Sequence, residues 1–276
     1  MLRAHLSVSA NSSELNLSLF FDSAQARGIL LDIEGTTTPI DFVYKMLFPF
    51  ASVHVEEFLT DHIHDNEIRS LVDELRQHHH RDAQSDVGLH TWCDETSAER
   101  VHSAAFYVQW LMERDSKVTP LKTLQGKIWE AGYRDGELRG AVYPDVAPAL
   151  ARWRTQGRRL GIFSSGSVLA QKLLFAYSTA GDLTALLDGF FDTTVGPKRE
   201  VGSYRRIAAE LGLAASEVLF LSDVTAELDF AKASGMQTGL VLRPGAPMQA
   251  TSSHATIRSF DEVFPLGPRN NSPDTA

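Results

Sequence analysis

The chain has 276 residues, 43% of them apolar, which suits one large domain or a domain with a substantial insert. Asp and Glu total 35 against 26 Lys and Arg, and the net charge of -9 argues against nucleic acid or an anionic membrane as the main partner. The single cysteine, Cys93, excludes an internal disulfide and a Cys-based metal framework, and no run reaches the roughly 18 apolar residues of a membrane span. The opening MLRAHLSVSANSSELNLSLFF has its apolar residues broken by Asn, Ser and Glu, a poor signal-peptide core, so the expected location is the cytoplasm.

Residues 1–24 read as a loose arm and 25–44 as the first part of a core. Within it, GILLDI at 28–33 is continuously apolar up to Asp32, the pattern of a fully buried strand. From 45 to 138 the apolar residues recur at three- and four-residue spacing, as in FVYKMLFPFASVHVEEFL, NEIRSLVDELRQHH, AAFYVQWLMERD and PLKTLQGKIWEAG, so this block is predicted to be all helix, with Pro49 marking a kink or a new start. From 139 to 262 strands and helices alternate. RLGIFSSGS, EVLFLSD and QTGLVLRPG read as strands and GFFDTTVG as a short β-like piece, while VYPDVAPALARWRTQG, VLAQKLLFAYS, VGSYRRIAAELGL and AELDFAKASG read as helices. This alternation predicts an α/β fold, a Rossmann-like parallel sheet covered on both faces, and makes the helical block an inserted cap. Residues 263–276 are rich in Pro, Asn and Ser and read as a flexible tail.

In an open parallel sheet, ligands bind outside the carboxyl ends of the strands. Three predicted strands end in polar groups: Asp32 with Glu34, Ser164 with Ser165, and Ser222 with Asp223. If the first and third of these strands are neighbours, Asp32 and Asp223 converge, and two carboxylates at close range favour a cation between them. All-oxygen ligation points to magnesium rather than zinc. Such an ion invites a phosphate. The GTTT turn with Thr36 and the SSGS turn offer N–H groups and hydroxyls, and Lys198 lies in loop territory within reach of a phosphate oxygen. Asp32 can then attack phosphorus and form an aspartyl-phosphate that water hydrolyses. A nucleotide P-loop is excluded because no Gly-Lys-Ser/Thr follows at the required offset.

LDIEGTTTPI, LFPFA, KVTPLKTLQGKIWEAGY, VYPDV, FSSGSVLAQKLLF, FDTTVGPKRE, SYRRIA and LFLSDVTAELDFA together resemble the haloacid-dehalogenase-like phosphohydrolases, and within them the enolase-phosphatase family of methionine salvage. The resemblance covers most of residues 28–245, and the DIEGTT form is its sharpest part, because the wider superfamily usually has a second Asp where this chain has Glu34. It implies Asp32 as nucleophile and metal ligand, Glu34 as acid/base with its backbone carbonyl on the metal, Ser164 with Ser165 and Thr36 at the phosphate, Lys198 beside the transferring group, and Asp223 as a further ligand. Glu227, one helical turn beyond Asp223, is a candidate for supporting that site. The implied reaction enolises 2,3-diketo-5-methylthiopentyl-1-phosphate and then dephosphorylates it to the acireductone, in a cytoplasmic monomer with one magnesium ion per subunit.

Two other readings stay open: a phosphatase of the same scaffold for another small phosphate ester, and a non-catalytic phosphate- or magnesium-binding module. The cap stretch KVTPLKTLQGKIWEAGY favours the enolase-phosphatase over the former, and the intact Asp32, Lys198 and Asp223 speak against the latter. The triplet His78–His80 reads as a solvated helix end and Cys93 as incidental. Trp92, Tyr107, Trp110 and Trp129 read mainly as cap packing, and Lys122 and Gln125 as candidate cap contacts to polar substrate atoms.

Overall fold

The computed structural model describes residues 21–85, 88–245 and 253–266, so most of the expected N-terminal arm and C-terminal tail lies outside the described residues. The strands are β1 (Gly28–Leu31), β2 (Arg159–Phe163), β3 (Gly189–Phe191), β4 (Val218–Ser222), β5 (Gln237–Val241) and β6 (Ala255–Ile257). The helices are α1 (Ile40–Phe42), α2 (Phe48–His62), α3 (Asn66–Asp82), α4 (Ser97–Glu113), α5 (Thr119–Arg134), α6 (Val146–Thr155), α7 (Val168–Ala176), α8 (Val201–Glu210) and α9 (Thr225–Ser234).

The described chain divides into two compact units. One comprises residues up to Thr37, Tyr143–Phe163 and those from Ala185 on, and it contains the whole sheet. Its six strands run in the order β3-β2-β1-β4-β5-β6, every pair parallel. A strand between two parallel neighbours needs apolar side chains on both faces. Ile29, Leu30 and Leu31 of β1 are fully buried, each worth about 1.5–3 kcal/mol relative to exposure. On one face Leu30, Phe163 and Phe220 meet Tyr204 and Ile207 of α8 and Leu228 and Ala231 of α9. β1 is shorter than the predicted 28–33, so Asp32 and Ile33 fall in the turn that follows it. The short strand β6 adds an edge that the sequence reading does not contain.

The other unit, Thr38–Val142 with Ser164–Thr184, is helical. It therefore includes the α7 segment, which the alternation of strands and helices places with the second part of the core. Val43–Leu47 between α1 and α2 is a π-turn, closed by the amide of Phe48 donating to the carbonyl of Val43. Pro49 has no N–H to give the carbonyl of Lys45, so the regular ladder is broken there and the wider turn takes its place. α4 begins with a capping box: the Glu99 amide donates to Thr96 Oγ1 at 3.2 Å and the Thr96 amide donates to Glu99 Oε2 at 2.9 Å. His79 does not match the expected solvated helix end. It is buried on α3 with Nε2 2.7 Å from the carbonyl of His90, packed against Trp92 and Tyr107. No helix among the described residues is long and apolar enough to cross a membrane.

Candidate active site

β1 and β4 are neighbours, with Leu31 opposite Leu221, so the residues just past their carboxyl ends are adjacent. The Asp32 amide donates to the carbonyl of Leu221 at 3.0 Å, continuing the ladder one residue beyond β1. The chain then turns sharply. Gly35 has φ +73°, a left-handed conformation that costs glycine little, and the amides of Thr36 and Thr37 both donate back to the carbonyl of Ile33. Thr37 Oγ1 donates to the Asp32 carbonyl at 3.0 Å. The DIEGTT stretch is thus a tight turn that fixes the direction of Asp32.

Asp32 is buried and heavily contacted. Lys198 Nζ donates to its Oδ1 at 2.5 Å, its own neighbour Ile33 donates an amide to the same oxygen at 2.8 Å, and Ser222 Oγ lies 3.0 Å from Oδ2. Lys198 also pairs with Glu227 Oε2 at 2.8 Å. Glu227 therefore points inward from the first turn of α9 rather than out to solvent, and Ser222 Oγ lies 3.3 Å from it as well. Asp223, the residue after β4, is pinned through its backbone: its amide donates to Thr36 Oγ1 at 3.0 Å.

The electrostatics follow from crowding. Burial pulls the Lys198 ammonium down, but the carboxylates of Asp32 and Glu227 outweigh it and hold the amine firmly protonated. Burial, reinforced by the negative charge of Asp32, pushes Asp223 up to about 7, and Glu34 adds to the same effect. Burial and Asp32 push Glu227 up to about 7 against the opposing pull of Lys198. Asp32, Asp223 and Glu227 thus share one ammonium, and this excess of negative oxygen is what a hard divalent cation neutralises. Among the described residues, no three His, Cys, Asp or Glu side chains form a ready-made metal cluster, so side chains alone do not complete a ligand set.

Asp32, Lys198, Asp223, Glu227 and Thr36 are therefore brought together within the strand unit. Thr36, expected at the phosphate, joins two loops of the site. It is fully buried, its hydroxyl oxygen accepts from Asp223, its amide is used in the turn, and its carbonyl accepts from Arg243 Nε at 2.9 Å, so it ties the loops after β1 and β4 to each other. Glu34 is half-buried in the turn. Ser164 and Ser165 directly follow β2 in the chain and belong to the helical unit. There Ser164 Oγ accepts from the Gly166 amide at 3.1 Å and the Ser165 carbonyl accepts from Lys122 Nζ at 3.2 Å.

Sequence reasoning misses three supporting residues. Ser222 stands out only as a polar strand end, yet its hydroxyl lies between Asp32 and Glu227. Tyr204, on the buried face of α8, donates its hydroxyl to the Lys198 carbonyl at 2.7 Å and fixes the loop that carries the lysine. Its signal is a Tyr at an apolar position six residues after Lys198. Arg243, buried beyond β5, joins Thr36 to Asp145, and nothing in its local sequence marks it.

A family model described as haloacid dehalogenase-like hydrolase matches residues 26–235. The enolase-phosphatase E1 of Synechococcus elongatus is 51% identical over 235 residues, 85% of this chain and 96% of that protein. That of Sorangium cellulosum is 47% identical over 240 residues, 87% of this chain and 98% of that protein. Among solved structures, the UTR4 protein of Saccharomyces cerevisiae superposes with a TM-score of 0.70 at 34% identity, over 86% of this chain and 99% of that one. With the match spanning the DIEGTT turn, the Lys198 loop and the end of β4, the chain belongs to the haloacid dehalogenase-like hydrolases and, among them, to the enolase-phosphatase E1 family.

Proposed function

We propose that this enzyme converts 2,3-diketo-5-methylthiopentyl-1-phosphate through its enol to 1,2-dihydroxy-3-keto-5-methylthiopentene and inorganic phosphate, a step of methionine salvage, as a cytoplasmic monomer. The observation that carries the reading is the Lys198 ammonium held 2.5 Å from a buried Asp32 beside Asp223, in a chain 51% identical to an enolase-phosphatase. The same residues suit phosphoryl transfer. An oxygen of Asp32 attacks phosphorus as the bond from phosphorus to the substrate oxygen breaks, and the departing oxygen takes a proton from Glu34. Water, losing its proton to Glu34, then attacks the aspartyl-phosphate and releases phosphate. Lys198 stays protonated throughout and offsets charge on the transferring group. Ser164 and Ser165 are assigned to the phosphate oxygens, and the helical unit to the role of a cap that walls off water.

The preceding enolisation moves a proton from C1 of the substrate to the C2 oxygen, an internal rearrangement with no net loss of atoms. Glu34 is assigned to take up that proton. The carboxylate-rich cluster fits a magnesium ion, one per subunit, which Asp32, Asp223 and the backbone carbonyl of Glu34 would hold. When bound, such an ion supplies positive charge that polarises substrate oxygens.

The test is a paired assay on purified protein with the diketo phosphate, following enol absorbance and free phosphate, with and without magnesium. Enol signal and phosphate release, both lost on chelation, support the proposal. Phosphate release with no enol step leaves a simple phosphatase, and turnover of neither kind overturns the reading.

A further inference from the structure

A buried arginine braces the two loops that carry Asp32 and Asp223 while pairing with neither carboxylate. Arg243 lies two residues beyond β5 and is 6% exposed. Its Nε donates to the Thr36 carbonyl at 2.9 Å, in the turn after β1. Because β4 stands between β5 and β1 in the sheet, this contact spans the end of β4. The rings of Tyr143 and Phe260, with centres 4.3 Å and 4.5 Å from the guanidinium, restrict its freedom.

The charge pairing of Arg243 is not arranged for strength alone. Nη1 donates to Asp145 Oδ2 at 2.6 Å, and the same oxygen accepts from the Phe260 amide at 2.7 Å. Arg243 Nη2 and Asp145 Oδ1 are buried and have no hydrogen-bond partner among the described residues. A guanidinium and a carboxylate pair most strongly through two parallel bonds, which would use both of these atoms. Instead the guanidinium is divided between one charged oxygen and the neutral carbonyl of Thr36.

Thr36 passes that restraint on. It is fully buried, its amide donates to the Ile33 carbonyl at 3.1 Å, and its Oγ1 accepts from the Asp223 amide at 3.0 Å. A shift of the Thr36 carbonyl therefore shifts the Asp223 backbone against the turn that carries Asp32. Magnesium demands near-ideal octahedral geometry, so two carboxylates that share it must keep their spacing. We propose that Arg243 is a positioning residue, which sets the spacing of Asp32 and Asp223 through Thr36 and thereby the affinity for the divalent cation. This rests on the magnesium ligation proposed above.

The test titrates magnesium chloride into the metal-free full chain by calorimetry and records the thermal midpoint without metal, for wild type, Arg243→Lys, Asp145→Asn and Thr36→Val. Arg243→Lys keeps a cation beside Asp145 but gives up the fixed reach to Thr36, and its Kd for magnesium should rise roughly 10-fold. Asp145→Asn removes the charge pair and leaves the hydrogen bond from Arg243 to Thr36, so its midpoint should fall while its Kd stays within about twofold of wild type. Thr36→Val removes the hydroxyl that accepts from Asp223 and should weaken magnesium like Arg243→Lys; it decides the matter if Arg243→Lys does not fold. The two losses should be less than additive in the double variant, because both cut one path. A wild-type Kd in Arg243→Lys or in Thr36→Val overturns the inference. So does a Kd that rises in step with the fall in midpoint in Asp145→Asn as well, which makes Arg243 a purely structural residue. A wild-type chain that binds no magnesium overturns the metal reading and this inference with it.

Discussion

At the scale of single residues, Asp32 and Lys198 make opposite demands on a substitution. Asp32→Asn replaces one carboxylate oxygen by nitrogen at nearly constant volume and leaves Lys198 paired with Glu227 at 2.8 Å. The fold should persist, while loss of the attacking oxygen should lower phosphate release by roughly 10³-fold or more. Single-turnover phosphate release together with a near-ultraviolet spectrum checks both halves, and a variant with near-normal turnover removes Asp32 from the nucleophile role. Lys198→Met differs, because it strands two carboxylates that share the ammonium in a buried place. It should cost about 3–5 kcal/mol of stability and also roughly 10²-fold or more in kcat. Denaturant titration and steady-state rates measure the two, and an unchanged denaturation midpoint would show that the ion pair contributes nothing to the fold. Asp32, Lys198 and Asp223 are legible in the sequence because each ends or follows a short apolar run with small polar neighbours. Ser222, Tyr204 and Arg243 are less legible: Ser222 shows only as a polar strand end, Tyr204 only as a Tyr at an apolar helix position, and the contacts of Ser222 and Arg243 span 190 and 207 positions.

At the scale of elements, the periodicity of the sequence identifies the long strands and the helices but not how helices are shared between units. Near-continuous apolar runs define β1, β2 and β4, because a parallel strand buried on both faces has no alternation to lose. The three-residue strand β6 has too little sequence to carry a signal. The α7 segment reads as part of a strand–helix alternation, yet it is joined to the helical unit by close backbone approach. The Gly140 amide donates to the Tyr177 carbonyl at 2.9 Å, and the Thr179 amide donates to the Gly140 carbonyl at 2.8 Å. A Cβ on Gly140 would clash with the backbone carbonyl of Leu174, an obstacle no side-chain rotation relieves. Gly140→Ala should therefore destabilise the protein by about 1–3 kcal/mol. A lowered thermal midpoint, with faster hydrogen exchange concentrated in 168–179, is the expected signature. An alanine variant as stable as wild type would mean that the α7 segment is not held by this contact.

At the scale of the whole molecule, the strand unit is closed by the buried guanidinium of Arg243. Arg243 Nη1 donates to Asp145 Oδ2 at 2.6 Å, and its guanidinium lies 4.3 Å from the ring centre of Tyr143 and 4.5 Å from that of Phe260. The amide of Phe260 and the hydroxyl of Ser259 also donate to the Asp145 oxygen, at 2.7 Å and 3.1 Å. Asp145 thus links the start of α6 to the segment after β6 and, through Arg243, to the turn that positions Asp32. Burial acts to raise the Asp145 carboxyl, but the Arg243 hydrogen bond and the Phe260 amide outweigh it and hold the group below the ordinary range. The sign of the pH effect follows from that depression. A carboxyl whose folded pKa lies below its unfolded value contributes its full stabilisation above about pH 3.9 and loses it as pH falls through the folded value. Asp145→Ala, which strands the guanidinium, should cost about 3 kcal/mol at pH 7. The gap between wild type and variant should then narrow as the pH drops below about 3.9, because protonation removes from the wild type the same charge that the substitution removes. Denaturant titrations at a series of pH values measure that gap directly. A gap that stays constant into the acid range would mean that Asp145 acts through shape and neutral hydrogen bonds, and that the ion pair with Arg243 does not hold the strand unit closed.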